Sequence, residues 1–334
     1  MADLTRILNL LESFRGKSQV QAFLQSKTVP CSGTWETVRD RIKQGLREDK
    51  ITEAELVQLL EDIEEYGDQY VYLYDFARRD LPRLRNRADF ERLLTRTEKD
   101  TTLDKLAIIE NPSTDPTLVT ASYQDNVVKL KWVQKRSYRK PLDESVSGNI
   151  ATVRYEIIST RAVDLAILDL ERQRATLCIQ KIEPGVRDYR TELTALFIRL
   201  ARFADRSAFE ESSPVDLGIL MKRINEKNFA EVRRRRYRAT DANGKLFDVT
   251  SATDTDDIFN GGLYDAGRAS YTGALAGAYA NVYWIVVQPH LTREIHTIFP
   301  YRQSRNAVVF TQRCLKQERD YVLSRIQAIA RGES

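Results

Sequence analysis

The stretch Asn111-Pro112-Ser113-Thr114-Asp115-Pro116 decides how this 334-residue chain is read, because the apolar period changes across it. A proline lacks the backbone N–H, and its ring clashes with the preceding helical turn. Two of them in a polar stretch mark a domain boundary. Downstream, Val127, Lys129, Lys131 and Val133 alternate with Val128, Leu130 and Trp132, the period of a strand. Upstream, apolar residues recur three and four apart, the period of a helix.

The upstream part therefore reads as short helices. Leu4, Ile7, Leu8, Leu11 and Phe14 mark the first, which Gly16 can end. Val20, Phe23 and Leu24 mark a second, closed by Pro30, and Trp35, Val38, Ile42 and Leu46 a third. Thr52-Glu53-Ala54-Glu55 has the capping-box pattern, in which the two end side chains satisfy free N–H groups. It opens a fourth helix through Leu56, Leu59, Leu60 and Ile63. Tyr70, Tyr72, Leu73, Tyr74 and Phe76 read as the aromatic wall of this bundle, and Phe90, Leu93 and Leu94 as one more helix.

Downstream, strands are expected at 153–158, 232–239, 246–250, 281–288, 294–299 and 306–311. A hairpin of 163–170 with 175–182 turns at Arg172-Gln173. Helical spacing returns at 189–203 and again in Leu315, Tyr321, Val322, Ile326 and Ile329. Helices interrupt the strands without regular alternation, which favours α+β over a doubly wound sheet. The expected architecture is α+β: an N-terminal all-α bundle at 1–110, then a β-rich mixed domain at 117–334 ending in a helix.

Composition narrows the function. Apolar residues make up 42% of the chain, enough for real cores, and charged residues 30%. No run of about 18 apolar residues occurs, so no membrane span is expected. The N-terminus lacks the basic start and long apolar stretch of a signal peptide, and an intracellular location is expected. Cys31, Cys178 and Cys314 are too few and too scattered for a disulfide framework or a paired-cysteine metal site. Of the two histidines, His290 and His296, neither belongs to an HExxH pattern. Asp254, Asp256 and Asp257 lack the glycine and distal glutamate of a Ca²⁺ loop. GALAGAYA, with Gly273 and Gly277, has small-residue spacing for close packing rather than a phosphate-cradling pattern. No GxSxG elbow is present. No catalytic residue, metal ligand or cofactor is nominated.

The net charge of +4 conceals blocks: residues 1–47 hold 8 basic and 4 acidic groups, and residues 48–68 hold 1 and 9. Within the first block lies Val29-Pro30-Cys31-Ser32-Gly33-Thr34-Trp35, continuing to Val38, Arg41 and Ile42. Pro30 stops a helix, Gly33 permits a tight turn, and Thr34 can cap the next helix. A helix start offers free N–H groups and a positive dipole end, suited to a phosphate. On a 100° wheel, Trp35, Val38, Ile42 and Leu46 face inward, and Arg39, Lys43 and Arg47 line the edge beside them. Val29, Pro30, Ser32, Gly33, Val38, Arg41 and Ile42 resemble the SAP motif, a helix–loop–helix family that binds DNA. Thr28 replaces its usual first glycine, and Thr34-Trp35 a common lysine pair. The nominated nucleic-acid contacts here are Lys17, Lys27, Ser32, Gly33, Thr34, Arg39, Lys43 and Arg47. The other reading is a helical hairpin whose basic edge faces water or pairs with the acidic helix at 53–68.

A second basic run is Arg233-Arg234-Arg235-Arg236-Tyr237-Arg238. In a regular strand Arg234, Arg236 and Arg238 share one face, and neither face suits an apolar core. An exposed edge or a groove for an anionic partner is expected, and these three arginines complete the nominated set. Lys131, Lys135, Arg136, Arg139 and Lys140 interleave with Trp132 and Tyr138 in a pattern suited to stacking and phosphate contact. The layout also resembles the centromere protein N family, a pyrin-like helical domain before a β-rich one. The likeness lies in Val38, Ile42, Leu46, Ile51 and Leu56, the aromatic Tyr70–Phe76 segment, the Val127–Trp132 strand and the Ala307–Ile326 strand-plus-helix. That resemblance implies contact with nucleosomal DNA and partner proteins, and no catalysis. Two functions are carried forward: a DNA-binding or adaptor protein, and a protein-interaction scaffold working without nucleic acid.

Overall fold

The computed structural model describes residues 2–14, 16–77, 81–98, 101, 103–147, 149–181, 189–204, 214–226, 229–260, 262–271, 275–286, 291 and 293–332. The fold is α+β. Four helices open it: α1 (Ala2–Ser13), α2 (Lys17–Ser26), α3 (Trp35–Arg47) and α4 (Glu53–Glu65). The last two begin at side-chain caps. Thr34 caps α3 by accepting from Thr37 N–H at 3.4 Å. At α4 both halves of the Thr52/Glu55 capping box form.

The next element corrects the sequence reading. Gly67–Asp75 is a strand, β1, and not a wall of the helical bundle. Its aromatics follow a period of two, and it pairs antiparallel with a strand near the C-terminus, Tyr70 opposite Val309 and Tyr72 opposite Ala307. Gly67 makes the close entry possible. Its φ is +84°, and a Cβ there would lie 2.3 Å from the Gln312 carbonyl oxygen.

A 3-10 turn at Pro82–Leu84 precedes α5 (Arg87–Thr97). Then come β2 (Thr117–Gln124), β3 (Val127–Ser147), β4 (Ile150–Asp169), β5 (Arg174–Gln180) and α6 (Tyr189–Leu200). The remainder is α7 (Gly218–Glu226), β6 (Val232–Thr240), β7 (Leu246–Thr250), α8 (Leu263–Ala269), β8 (Ala276–Trp284), β9 (Ile295–Phe299), β10 (Ala307–Arg313) and α9 (Lys316–Arg331). The chain gathers into two compact units, Met1–Asn9 with Phe76–Glu211 and Leu10–Asp75 with Ser212–Ser334. Both take residues from either side of the 111–116 stretch.

In the first unit the strands run β2-β3-β4-β5, antiparallel throughout. Phe90 of α5 and Trp132 of β3 meet the ring of Phe203, at centroid distances of 6.2 and 6.4 Å. Leu130, Ala166, Leu177, Leu196 and Leu200 complete this core, while Val163, Leu165 and Cys178 are buried on the other face of the strands. β3 and β4 run far beyond the strands expected from sequence. They stay paired from Val127 opposite Asp169 out to Ser147 opposite Ile150. β2 accompanies β3 only as far as Val133, and β5 accompanies β4 only from Asp164 onward.

In the second unit the strands run β1-β10-β9-β8-β6-β7. One face buries Val282, Trp284, Ile295, Phe299 and Phe310. α7 packs on α9 and on β8, burying Leu220, Met221, Ile224, Val322, Ile326 and Ile329. Trp284 satisfies its buried indole N–H on Thr297 Oγ1 at 2.9 Å. α2 packs against α3 and α4 around Val20, Leu24, Val38, Ile42, Leu56 and Ile63.

Candidate interaction surfaces

The α2–loop–α3 hairpin forms as its sequence implies. Gln21 Nε2 donates to the Cys31 carbonyl at 2.9 Å, tying the loop to α2. Gly33 has φ +118°, and Ser32, Gly33 and Thr34 are exposed at the start of α3. The cations beside this start are mostly engaged. Arg39 is half-buried rather than exposed on an open edge, because its guanidinium meets Glu12 at 2.5 Å. Lys27 pairs with Glu55 of α4, so the acidic helix does face the basic hairpin there. That ammonium, followed by the Thr52 backbone N–H, holds the Glu55 carboxyl down to about 2. Lys43 is exposed, 3.7 Å from Asp40. Arg47 is exposed and Lys17 half-buried. Glu36 and Asp40 are exposed on the same helix, so this strip carries both signs. The inward stripe also differs from expectation. Val38 and Ile42 are fully buried, but Trp35 and Leu46 are only half-buried. Gly45 takes the vacated place, where a Cβ would lie 2.7 Å from Ile51 Cδ1.

The arginine run departs further. β6 has a bulge between Arg234 and Arg236, where the pairing to β8 shifts from Val282 to Asn281. An extra residue breaks the two-residue alternation. Arg234 therefore turns inward with Val232, Tyr237 and Ala239, against the expectation that it shares an exposed face with Arg236 and Arg238. It is 2% exposed. Its Nε and Nη2 bind Asp257 at 3.0 and 2.7 Å, and Nη1 donates to the Ile224 carbonyl at 3.0 Å. Its guanidinium carbon lies 3.8 Å from the Phe259 ring centroid. Burial of a charge is tolerable here because partners surround it. Arg236 and Arg238 share one carboxylate, each placing Nη2 2.7 Å from Asp248 Oδ2. Arg233 forms a fork on Glu294, with both contacts at 2.6 Å, and Arg235 meets Asp254 at 2.7 Å. The run is a set of structural ion pairs across neighbouring segments.

Those pairs also explain Asp254 and Asp257, which serve arginines. Among the described residues no group of three potential ligand side chains gathers for a metal ion. No helix among them is long and apolar enough to cross a membrane. His290 and Gly273 lie outside the described residues. His296 stacks on Tyr283, with ring centroids 4.5 Å apart, and shares hydrogen bonds with Thr311 and Asn281. Burial pushes its pKa down. Gly277 approaches Met221, which would lie 3.1 Å from an added Cβ. Cys178 and Cys314 are buried and Cys31 half-buried. Burial pushes the Cys314 thiol up to about 12, leaving it inert. The Lys131–Lys140 stretch is divided. Lys131 and Trp132 are buried, and Arg136 is 8% exposed, bound to Asp164 and Glu192 at 2.6 and 2.9 Å.

Arg139 and Lys140 stand instead on a surface not anticipated from sequence. From Ser137 to Ser159, β3 and β4 form a two-stranded ribbon with no third strand beside it among the described residues. Leu142, Ile150, Tyr155 and Ile157 on it are 62, 69, 50 and 70% exposed. Opposed residues share a face. One face holds Arg139 opposite Ile157, Pro141 opposite Tyr155, and Glu144 opposite Val153. The other opposes Lys140 to Glu156 and Asp143 to Arg154, and Arg154 Nε binds Asp143 at 2.8 Å. Leu142 is the extra residue between these registers. No family model matches the chain, and no curated protein matches it significantly.

Proposed function

We propose that this protein is an adaptor whose principal contacts are with protein, made through the β3–β4 ribbon. The observation that carries the reading is the exposure of Tyr155 and Ile157 on one face of a ribbon that projects past its flanking strands, with Leu142 exposed at its bulge and Ile150 at its tip. Large exposed apolar patches mark interaction surfaces, and a two-stranded hairpin alone is marginal in water. The complementary test is capture from nuclease-treated lysate. Proteins retained by the wild type and lost by L142S/Y155S/I157S support the reading. Equal retention by the triple variant, or loss of every partner on nuclease treatment, overturns it.

A second reading is contact with a nucleic-acid backbone at the start of α3. It is favoured by the exposure of Ser32, Gly33 and Thr34 beside Lys43 and Arg47. Its weakness is electrostatic, since Lys27, Arg39 and Lys43 each have a carboxylate within 4 Å. Fluorescence anisotropy with a generic duplex tests it. Absence of binding at low salt removes this reading and leaves the first intact.

A further inference from the structure

We infer that the occupant of the ribbon's apolar face is the same face of a second copy of this chain, packed antiparallel about a twofold axis. This rests on the protein-contact reading above and names its partner. The argument is self-complementarity. The face bears Pro141, Val153, Tyr155 and Ile157, and between Ser137 and Glu144 its charged members are Arg139 and Glu144. Both are exposed. Neither has an ion-pair partner among the described residues, whereas Asp143 and Arg154 on the opposite face pair with each other. The charges stand on either side of Pro141 and Tyr155 along the ribbon, Arg139 toward the base and Glu144 toward the tip. Their separation is about 13 Å at the rise of about 3.3 Å per residue, counting the bulge as unextended.

A twofold axis through Pro141 and Tyr155 places Arg139 of one copy over Glu144 of the other, and the reverse contact follows by symmetry. Ile157 of each then meets Val153 of its partner. An isologous interface needs this reciprocity, residue i on j and j on i. Parallel stacking instead brings the two Arg139 side chains to one level of the ribbon and the two Glu144 side chains to another, like beside like, so the charges also select the direction. Face-to-face packing at about 10 Å spacing lets such side chains interdigitate. A ribbon face roughly 35 Å long and 10 Å wide corresponds to on the order of 700 Å² buried between two copies, the size of a weak, transient interface. The dimer is therefore expected to dissociate in the micromolar range, about 1–100 µM.

Sedimentation equilibrium of the full chain across about 1–200 µM reads this directly. The wild type is expected to show a reversible monomer–dimer equilibrium. R139E and E144R each convert two attractive contacts into repulsive ones, and each should weaken association about tenfold. The swap R139E/E144R restores the complementarity and should return association to within about threefold of wild type. Circular dichroism confirms that the three variants fold, and both substituted positions are exposed and outside either core. A monomeric wild type across the range overturns the proposal, as does dimerisation that the single reversals leave unchanged or that the swap fails to restore. A monomer that still captures proteins through the ribbon overturns this inference while the adaptor reading stands. Equal capture by L142S/Y155S/I157S overturns that reading instead.

Discussion

Arg234 and Arg238 sit four residues apart in one run and do different work. Removing Arg234 leaves the carboxylate of Asp257, its partner at 2.7 Å, close to uncompensated in a buried setting. R234Q is expected to cost about 3–5 kcal/mol in urea unfolding, the range for a broken buried pair. R238Q leaves Arg236 on Asp248 and should cost under about 1 kcal/mol. Gly67 is a second sensitive position. Its positive φ and the Gln312 carbonyl 2.3 Å from an added Cβ predict that G67A loses on the order of 3 kcal/mol by the same measurement. His296 sets a pH dependence. Burial lowers its folded pKa below the ordinary value of 6.5, so the unfolded chain binds the proton more readily. Its contribution is complete above about pH 6.5 and declines as pH falls from there through the depressed folded value. H296N should flatten that decline, read as unfolding midpoints from about pH 7 to 5.

At the scale of elements, what sequence revealed was what neighbours in sequence determine. The capping box at Thr52, the turn at Arg172-Gln173 and the stripe of the last helix are local, and α4, the β4–β5 hairpin and α9 lie where those signals put them. β1 was hidden because its partner, β10, lies more than 200 residues downstream, while its tyrosines suit a helix wall as well as a strand. The β6 bulge was hidden because one added residue in a repetitive arginine run leaves no trace in composition. The β3 half of the ribbon, and so its pairing, was hidden for another reason. Solvent reaches both its faces, so apolar alternation is weak, and Pro141 within β3 argues against a central strand. Its β4 half was legible as the strand expected at 153–158, and the paired signs at Lys140/Glu156 and Asp143/Arg154 were a second sequence-level signal. Because the ribbon belongs to neither core, replacing residues 140–156 by Asn-Gly, a two-residue hairpin turn, should change unfolding stability by less than about 1 kcal/mol. A larger loss in urea unfolding places the ribbon inside the cooperative fold.

For the whole molecule, charge is abundant but largely matched. The formal excess is only +4 over 334 residues, and the Arg233–Arg238 run dissolves into ion pairs, as do Lys27, Arg39 and Arg136 elsewhere. This bounds any nucleic-acid affinity. Each phosphate neutralised contributes about −0.9 to the slope of log K against log salt, through released counterions. A lysine or arginine already held by a carboxylate must lose that partner first, so it contributes less. On α3, Arg47 is exposed and Lys43 stands 3.7 Å from Asp40, while Arg39 is committed to Glu12. A duplex bound at the start of α3 should therefore give a shallow slope, about −1 to −2, and R47Q should reduce it by about one without sequence preference. R39A should behave differently, changing stability more than the slope, because its guanidinium joins α3 to α1. A salt titration of anisotropy separates these outcomes. A slope steeper than about −4 requires more free cations than α3 supplies and transfers the binding surface to another part of the chain.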